Sequence, residues 1–226
     1  MSTSSTHTSK FIVIFTLALV VTAVLFFFFT QKDEPNQDII LSEHPDISGQ
    51  PILGNKDAPV SVVEFGDYKC PACKRWDETI LPQLQEDFIN DGLVQYSYIN
   101  TLFHGEESGL AALASESVWH HHPEAFWDYH QEIFHQQPAA QNHDEAWITP
   151  LKLVEIAAEI EAEIDLEQLA ADIIEQTFID ELTADTEQVI EYDIQLTPSI
   201  VINGTLVENP FDYEHIKSLI EKELVD

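Results

Sequence analysis

Alternating and recurring apolar positions divide the chain into strand-like and helix-like stretches. An apolar, β-branched run predicts a first strand over about 60–66. From 72 to 88 apolar side chains recur every fourth residue, which predicts one buried helical face, and Pro82 predicts a kink within it. The turn residues Asn90-Asp91-Gly92 end this helix, and a run rich in Val and Tyr predicts a second strand over 93–100.

The second half of the chain is first helical and then returns to strands. Helical patterning occupies about 105–190. A short apolar strand follows at 199–202, and Asn203-Gly204 predicts a type I′ hairpin turn into 205–207. A last helical face lies at about 212–225. The predicted order is therefore β-α-β, a helical insertion and then β-β-α, which is an α/β fold.

The N-terminal region carries the strongest hydrophobic signal. Residues 11–29 contain no charged side chain and are long enough to span a bilayer as a helix. They end without a small-x-small cleavage site, so we expect an uncleaved, single-pass signal anchor; a cleaved signal peptide is the alternative. Lys10 favours a short cytoplasmic tail over 1–10 and a C-terminal domain outside the cell membrane. Residues 30–52, with three prolines, are predicted to be a linker.

The net charge excludes one class of partner. The chain holds 41 acidic and nine basic residues, a formal charge of −32, whereas nucleic-acid binding needs clustered cations. We interpret the acidity as adaptation of an exposed domain to high salt or to high external pH; an acidic surface for a cationic partner is the alternative. Three of the nine basic residues, Lys69, Lys74 and Arg75, flank the only two cysteines, so we expect them to support a thiolate there.

The two cysteines, Cys70 and Cys73, are separated by Pro71-Ala72 at the junction of the first strand and the helix that follows it. One close thiol pair without further sulfur is typical of redox chemistry rather than of structural disulfides. At a helix N-terminus, free backbone N–H groups and the positive end of the helix dipole favour the Cys70 thiolate. Zinc is not expected, because no second cysteine pair exists and the histidines of the insertion lie in helical segments.

Three stretches carry a family resemblance: 62–73, which ends in Cys-Pro-Ala-Cys; 125–130, Ala-Phe-Trp-Asp-Tyr-His; and 197–204, Thr-Pro-Ser-Ile-Val-Ile-Asn-Gly. The chain resembles the DsbA family of thiol:disulfide oxidoreductases, most of all the membrane-anchored BdbD-type members of Gram-positive bacteria. The resemblance implies a thioredoxin fold with an inserted helical domain, preceded by an N-terminal transmembrane helix. The implied parts are the first part of the thioredoxin fold over 53–104, the helical insertion over 105–190 and the second part over 191–226.

The same resemblance implies roles for five residues. Cys70 matches the family's exposed nucleophilic cysteine, and Cys73 matches its buried partner. Pro198 matches the cis-proline that faces the disulfide, and Thr197 before it offers its backbone to a substrate segment. Glu64 matches the acidic residue beneath the pair, which in the family assists proton movement.

The implied function is the introduction of disulfide bonds outside the cytoplasm. Reduced secreted or membrane proteins would be oxidised by dithiol–disulfide exchange through the redox-active Cys70–Cys73 disulfide, with no cofactor required. The sequence has no flavin or quinone motif, so reoxidation implies a partner, a membrane quinone-linked reoxidase of the DsbB/BdbC-like kind. We expect a monomer. Some BdbD-type relatives bind a structural calcium ion, but no stretch here has a calcium-loop pattern, so no ligands are predicted.

Two other functions stay open. A disulfide reductase, as in cytochrome maturation, would also combine an anchor with a Cys-x-x-Cys pair, although such proteins usually lack the long helical insertion. A non-catalytic peptide-binding or chaperone module would use the groove beside Pro198 without turnover. Strong oxidants of the family often have a histidine between the cysteines; Pro71-Ala72 lacks it, so the sequence does not predict the reduction potential.

Overall fold

The computed structural model describes residues 15–17, 19–22, 37–139 and 145–225. Residues 1–36 and 37–226 form two separate units, and in the first unit the described residues are helical. Among the described residues, no helix combines the length and apolar character needed to cross a membrane. Most of the predicted anchor over 11–29 lies outside the described residues, so the structure does not show a transmembrane helix there.

The second unit is built on a sheet of six described strands in the order β1-β6-β5-β3-β4-β2. The central strands β3 and β4 are parallel, in register from Val60 opposite Val94 to Gly66 opposite Asn100, and all other neighbours are antiparallel. The strands are β1 Ile39–Ile40, β2 Ile52–Gly54, β3 Val60–Gly66, β4 Val94–Asn100, β5 Ser199–Ile202 and β6 Thr205–Leu206.

The described helices of this unit lie in three places: between β3 and β4, in the insertion between β4 and β5, and after β6. The order confirms the predicted α/β fold with a helical insertion between its two β-containing parts. The described helices of this unit are α1 Pro71–Thr79, α2 Leu81–Leu84, a π-helical turn Gln85–Ile89, α3 Glu106–His121, a 3₁₀ turn Pro123–Ala125, α4 Phe126–Gln136, α5 Pro150–Glu159, α6 Leu166–Glu175, α7 Ile179–Glu191 and α8 Tyr213–Glu223.

Strand β3 is buried along its whole length because helices cover both faces of the sheet. Successive side chains of a strand point to opposite faces. Val60 and Val62 therefore pack with Trp76 of α1 and Ile216 of α8, whereas Phe65 packs on the other face. Each fully buried valine contributes about 1.5–3 kcal/mol relative to an exposed one. This packing fixes the end of β3, from which the cysteine loop departs.

The helix after Cys70 is divided at Ile80, two residues before Pro82, because the proline has no N–H to continue the hydrogen-bond ladder. Ile80 itself keeps a helical conformation and both of its backbone hydrogen bonds, which is consistent with the predicted kink. One local feature differs from the sequence-based expectation. The interval 30–52, predicted to be a linker, contains β1 and the first residue of β2. The predicted hairpin is present, since Asn203 and Gly204 both have positive φ, 43° and 86°, and Ile202 pairs with Thr205.

Candidate active site

The cysteine pair lies at the junction between β3 and α1. Cys70 occupies the N-cap position of α1, and Pro71 takes the first helical position, where a missing N–H costs no hydrogen bond. The Cys70 N–H donates to the carbonyl of Asp67 at 2.9 Å, which closes the turn between strand and helix. Both cysteines are free thiols; Cys70 is 7% exposed and Cys73 is fully buried. Cys70 is thus the sulfur nearer to solvent, as the resemblance implies.

Cys70 faces the segment that precedes β5. Its Sγ lies 3.4 Å from the carbonyl oxygen of Thr197, and the Thr197–Pro198 peptide bond is cis. The pKa of Cys70 is lowered to about 6, mainly through a hydrogen bond from the Cys73 side chain. Burial opposes this shift, while Thr197 and the backbone N–H groups of Cys73 and Ala72 add to it. The first turn of α1 therefore stabilises the Cys70 thiolate.

Cys73 has the opposite character. Its Sγ accepts a hydrogen bond from the backbone N–H of Asp67 at 3.4 Å. Burial raises its pKa well above the ordinary value, and negative charge on Glu64 or Cys70 would raise it further. The reduced pair is therefore one thiolate, Cys70, and one thiol, Cys73.

Glu64 lies on β3 beneath the pair, with only 1% of its surface exposed. Tyr96 donates its hydroxyl to Oε2 at 2.6 Å, whereas Oε1 has no hydrogen-bond partner among the described residues. Burial raises the pKa of this carboxyl well above its usual range, and the charges of Asp77 and Cys70 act in the same direction. Burial thus favours the protonated form of Glu64, and any negative charge on Glu64 raises the pKa of Cys73.

A second buried acid, Asp77, was not identified from the sequence. It is 7% exposed, and burial raises its pKa to about 7. Its Oδ1 lies 3.7 Å from Nε2 of His130, whose Nδ1 lies 2.8 Å from the Tyr68 hydroxyl. Burial lowers the pKa of His130 to about 3, so this imidazole is neutral. The available signal was spacing, since Asp77 follows Cys73 by four residues on the same helical face.

The three cations beside the cysteines have other partners. Lys69 is buried and donates to the Glu107 carboxylate. Lys74 donates to the carbonyls of His135 and Gln137 at 3.1 and 3.0 Å. Arg75 stacks 4.3 Å above the Phe211 ring. None of the three forms a contact with a cysteine sulfur in the described part of the chain. None of the three is among the main causes that lower the pKa of Cys70, so their expected support of the thiolate stays a prediction.

Metal ligation can be tested on the donor groups that are present. The described residues contain no group of three or more His, Cys, Asp or Glu side chains able to hold a metal. The oxygen donors that could hold a hard cation such as calcium are gathered between β4, α3 and α7. Asn100 Nδ2 donates to Glu116 at 2.8 Å and to Asp185 at 3.0 Å, and Gln50 Oε1 is buried without a hydrogen-bond partner. Burial raises the pKa of Glu116 to about 8 and that of Asp185 to about 6. The amide N–H groups of Asn100 and Gln50 donate to these carboxylates, so the described residues do not show the four side chains arranged as oxygen ligands of a calcium ion.

A helix-capping thiolate, a buried partner thiol and a facing cis-proline on an α/β sheet define the class of thiol:disulfide oxidoreductases. Comparison with known sequences leads to the same class. Residues 47–222 match the family model described as Thioredoxin. The chain is 44% identical over 193 residues, 85% of either protein, to disulfide bond formation protein D of Bacillus subtilis strain 168. It is 40% identical over 177 residues to probable disulfide bond formation protein D of Bacillus anthracis, covering 78% of this chain and 79% of that protein.

Solved structures give the same result. The crystal structure of oxidised BdbD from Bacillus subtilis superposes with a TM-score of 0.79 at 44% identity, covering 83% of this chain and 99% of that one. Chlamydia trachomatis DsbA superposes with a TM-score of 0.66 at 25% identity, covering 76% and 90%. The chain belongs to the thioredoxin family and, within it, to the DsbA-like thiol:disulfide oxidoreductases of the BdbD type. The predicted family is confirmed.

Proposed function

We propose that this chain oxidises thiol pairs in reduced secreted or membrane proteins outside the cytoplasm, with the Cys70–Cys73 disulfide as the oxidant. One observation carries the proposal, the difference in acidity between the two sulfur atoms. The pKa of Cys70 is lowered to about 6, whereas burial raises that of Cys73. A stabilised thiolate stabilises the reduced enzyme, and a stabilised reduced enzyme makes its disulfide a stronger oxidant.

The exchange proceeds in two displacements. A substrate thiolate attacks Cys70 Sγ, a mixed disulfide forms, and Cys73 leaves with the electron pair of the broken bond. A second substrate thiolate then attacks the substrate sulfur of the mixed disulfide and expels Cys70 as a thiolate. The substrate has lost two electrons, and the cysteine pair has gained them. Attack falls on Cys70 because it is the sulfur nearer to solvent.

Glu64 supplies the proton that the leaving Cys73 needs. A buried thiolate is costly, and the raised pKa of Cys73 makes it a poor leaving group unless it is protonated as it departs. Burial raises the pKa of the Glu64 carboxyl and so favours the protonated form that can donate to Cys73. Asp77, whose pKa is about 7 and whose charge acts on Glu64, can then reprotonate Glu64 near neutral pH.

Thr197 and Pro198 form the wall against which the substrate segment lies. Pro198 is buried and offers no N–H, while Thr197 is half-buried and directs its carbonyl towards Cys70. Leu196, next to Thr197 in the chain, is 75% exposed, and Phe103 at 44% and Ile190 at 73% line one cavity with Gln195. Exposed apolar surface of this kind suits the unfolded segment of a substrate that has not yet acquired its disulfides.

Reoxidation and location complete the proposal. A substrate leaves the cysteine pair reduced, so a membrane quinone-linked reoxidase must remove the two electrons. The uncharged, apolar stretch over 11–29 is proposed to be a signal anchor that keeps a monomeric enzyme in the same membrane as that partner, with its folded domain extracytoplasmic.

Trapping of covalent complexes tests the exchange. In full-length Cys73→Ser, the Cys70 thiolate should attack disulfides of secreted proteins, release one substrate thiolate and accumulate as mixed disulfides, because no Cys73 thiol remains to displace the substrate from Cys70. Cys70→Ser should accumulate none. The equilibrium constant of the wild-type pair against glutathione then gives the direction. A potential far more oxidising than that of thioredoxin supports an oxidase, and one near that of thioredoxin supports a reductase. Substrate binding without any covalent species would refute both and leave a chaperone.

A further inference from the structure

Asp67 connects the cysteine pair to the loop that follows β4. Strands β3 and β4 are parallel, so the residues after Gly66 and after Asn100 emerge at the same edge of the sheet. The Asp67 carbonyl accepts the Cys70 N–H at 2.9 Å, and the Asp67 N–H donates to Cys73 Sγ at 3.4 Å. The backbone of Asp67 is thus bonded to both cysteines, while its side chain points into the β4 loop.

The side chain of Asp67 holds His104 in place. Its Oδ2 lies 2.7 Å from His104 Nδ1 and also accepts the His104 backbone N–H at 3.2 Å and the Ser108 hydroxyl at 2.9 Å. Gly105, with φ of 72°, makes the turn that starts α3 directly after this residue. The His104 side chain is 32% exposed, so it is fixed at one nitrogen and still reaches solvent.

His104 can supply positive charge near the Cys70 sulfur, which the basic residues beside the cysteines do not contact. Lys69, Lys74 and Arg75 bind other groups, and none contacts a cysteine sulfur in the described part of the chain. His104 is held by Asp67, whose backbone carbonyl accepts the Cys70 N–H, so the imidazole is tied to the cysteine loop. The other charged groups around its ring are Asp67 and Lys69, with Glu106 and Glu107 lining the same cavity. The hydrogen bond to Asp67 raises the pKa of His104, burial lowers it, and the charge on Cys70 raises it.

We propose that His104, oriented by Asp67, is a positioning residue of the redox reaction whose imidazolium stabilises the Cys70 thiolate in the reduced enzyme. Oxidation of a substrate dithiol releases two electrons and two protons. The electrons pass to the cysteine pair, one proton ends on Cys73, and His104 takes up the second because Cys70 remains ionised. In the oxidised enzyme Cys70 is uncharged, and His104 binds its proton less tightly. Pro71-Ala72 places no histidine between the two cysteines, and His104, 34 residues after Cys70, supplies the positive charge instead. This inference rests on the proposed exchange chemistry.

A variant and a matched control separate this role from a general effect of losing a histidine. His104→Gln keeps a side chain that can hydrogen-bond to Asp67 and removes the charge. His215→Gln is the control, because His215 also pairs with an aspartate, Asp38, at 2.7 Å, and contacts neither cysteine among the described residues.

In the reduced proteins, ultraviolet absorbance of the thiolate is titrated against pH. We expect His104→Gln to lower the thiolate-to-thiol ratio of Cys70 about threefold to tenfold at fixed pH. The equilibrium constant with glutathione should move in the same direction by up to that factor, where tenfold corresponds to about 30 mV.

A measurement on the wild-type protein avoids any folding defect of the variant. The His104 ring is titrated by NMR in the oxidised and reduced states, and its pKa should be higher in the reduced state, because coupling between two groups is reciprocal. An equal His104 pKa in both states, or an unchanged Cys70 titration in a folded His104→Gln variant, overturns the inference. If Cys73→Ser still traps mixed disulfides in that case, the proposed function stands without it; if nothing is trapped in any background, the proposed function itself fails.

Discussion

The Cys73 thiol is expected to be the main support of the Cys70 thiolate, and replacing it provides a direct measurement. Cys73→Ala removes the donor, whereas Cys73→Ser keeps a hydroxyl in its place. The hydrogen bond from the Cys73 side chain is the largest contribution that lowers the pKa of Cys70. The alanine variant should therefore titrate at clearly higher pH than the wild-type protein, and the serine variant between the two.

The magnitude follows from the shift itself. The pKa of Cys70 falls from 9.0 to about 6, which corresponds to about 4 kcal/mol in favour of the thiolate, at about 1.4 kcal/mol per unit. At pH 7 about nine-tenths of Cys70 is then ionised, against roughly one-hundredth for an unshifted thiol. A depressed folded-state pKa stabilises the reduced protein above the unfolded value, and this contribution is lost as the pH falls through 6. At pH 7 it amounts to about 1.4 kcal/mol.

Two assays read the same quantity. Thiolate absorbance of the reduced protein gives the pKa of Cys70, and urea unfolding of the reduced and oxidised wild-type protein between pH 5 and pH 9 gives its contribution to stability. In the wild-type protein, the reduced form should gain stability relative to the oxidised form as the pH rises above 6. We expect Cys73→Ala to raise the pKa by at least about one unit. Circular dichroism checks that the variant is folded. An alanine variant that is folded and titrates with the wild-type midpoint would refute the reasoning, because the helix N-terminus alone would then account for the acidity.

Two further predictions concern the buried carboxyls. Glu64→Gln keeps an acceptor for the Tyr96 hydroxyl but removes the acidic proton. Formation of mixed disulfides by the oxidised enzyme should therefore slow by tenfold or more, while stability in urea stays unchanged. An unchanged rate would show that Glu64 takes no part in the reaction. Burial raises the pKa of Glu116 to about 8, so its contribution to stability is present below pH 4 and is lost as the pH rises through 8. Glu116→Gln should therefore lessen the decline in stability from pH 5 to pH 9, measured by urea unfolding in the presence of a chelator, whereas the exposed Glu106→Gln should leave the curve unchanged.

The elements predicted best are those with a local cause. Strand β3 matches its apolar run residue for residue, and the Asn203-Gly204 turn requires positive φ that few other pairs tolerate. Strands β1 and β2 were missed because two or three residues carry no periodicity. They become strands only by pairing with β6 and β4, which lie far along the chain.

The sequence by itself determined the redox pair, because Cys70, Pro71 and Cys73 at a strand–helix junction place both sulfur atoms on the first turn of one helix. Tertiary structure decided the ionisation around them. Neighbours in sequence, Lys69 and Lys74, bind groups away from the sulfur atoms, whereas Asp67 brings His104 to the site through the parallel pairing of β3 and β4. A hydrogen bond from Cys73 lowers the pKa of Cys70 against the effect of burial, whereas burial raises the pKa values of Cys73 and Glu64. Charge acts through distance and solvent exposure, and the fold sets both.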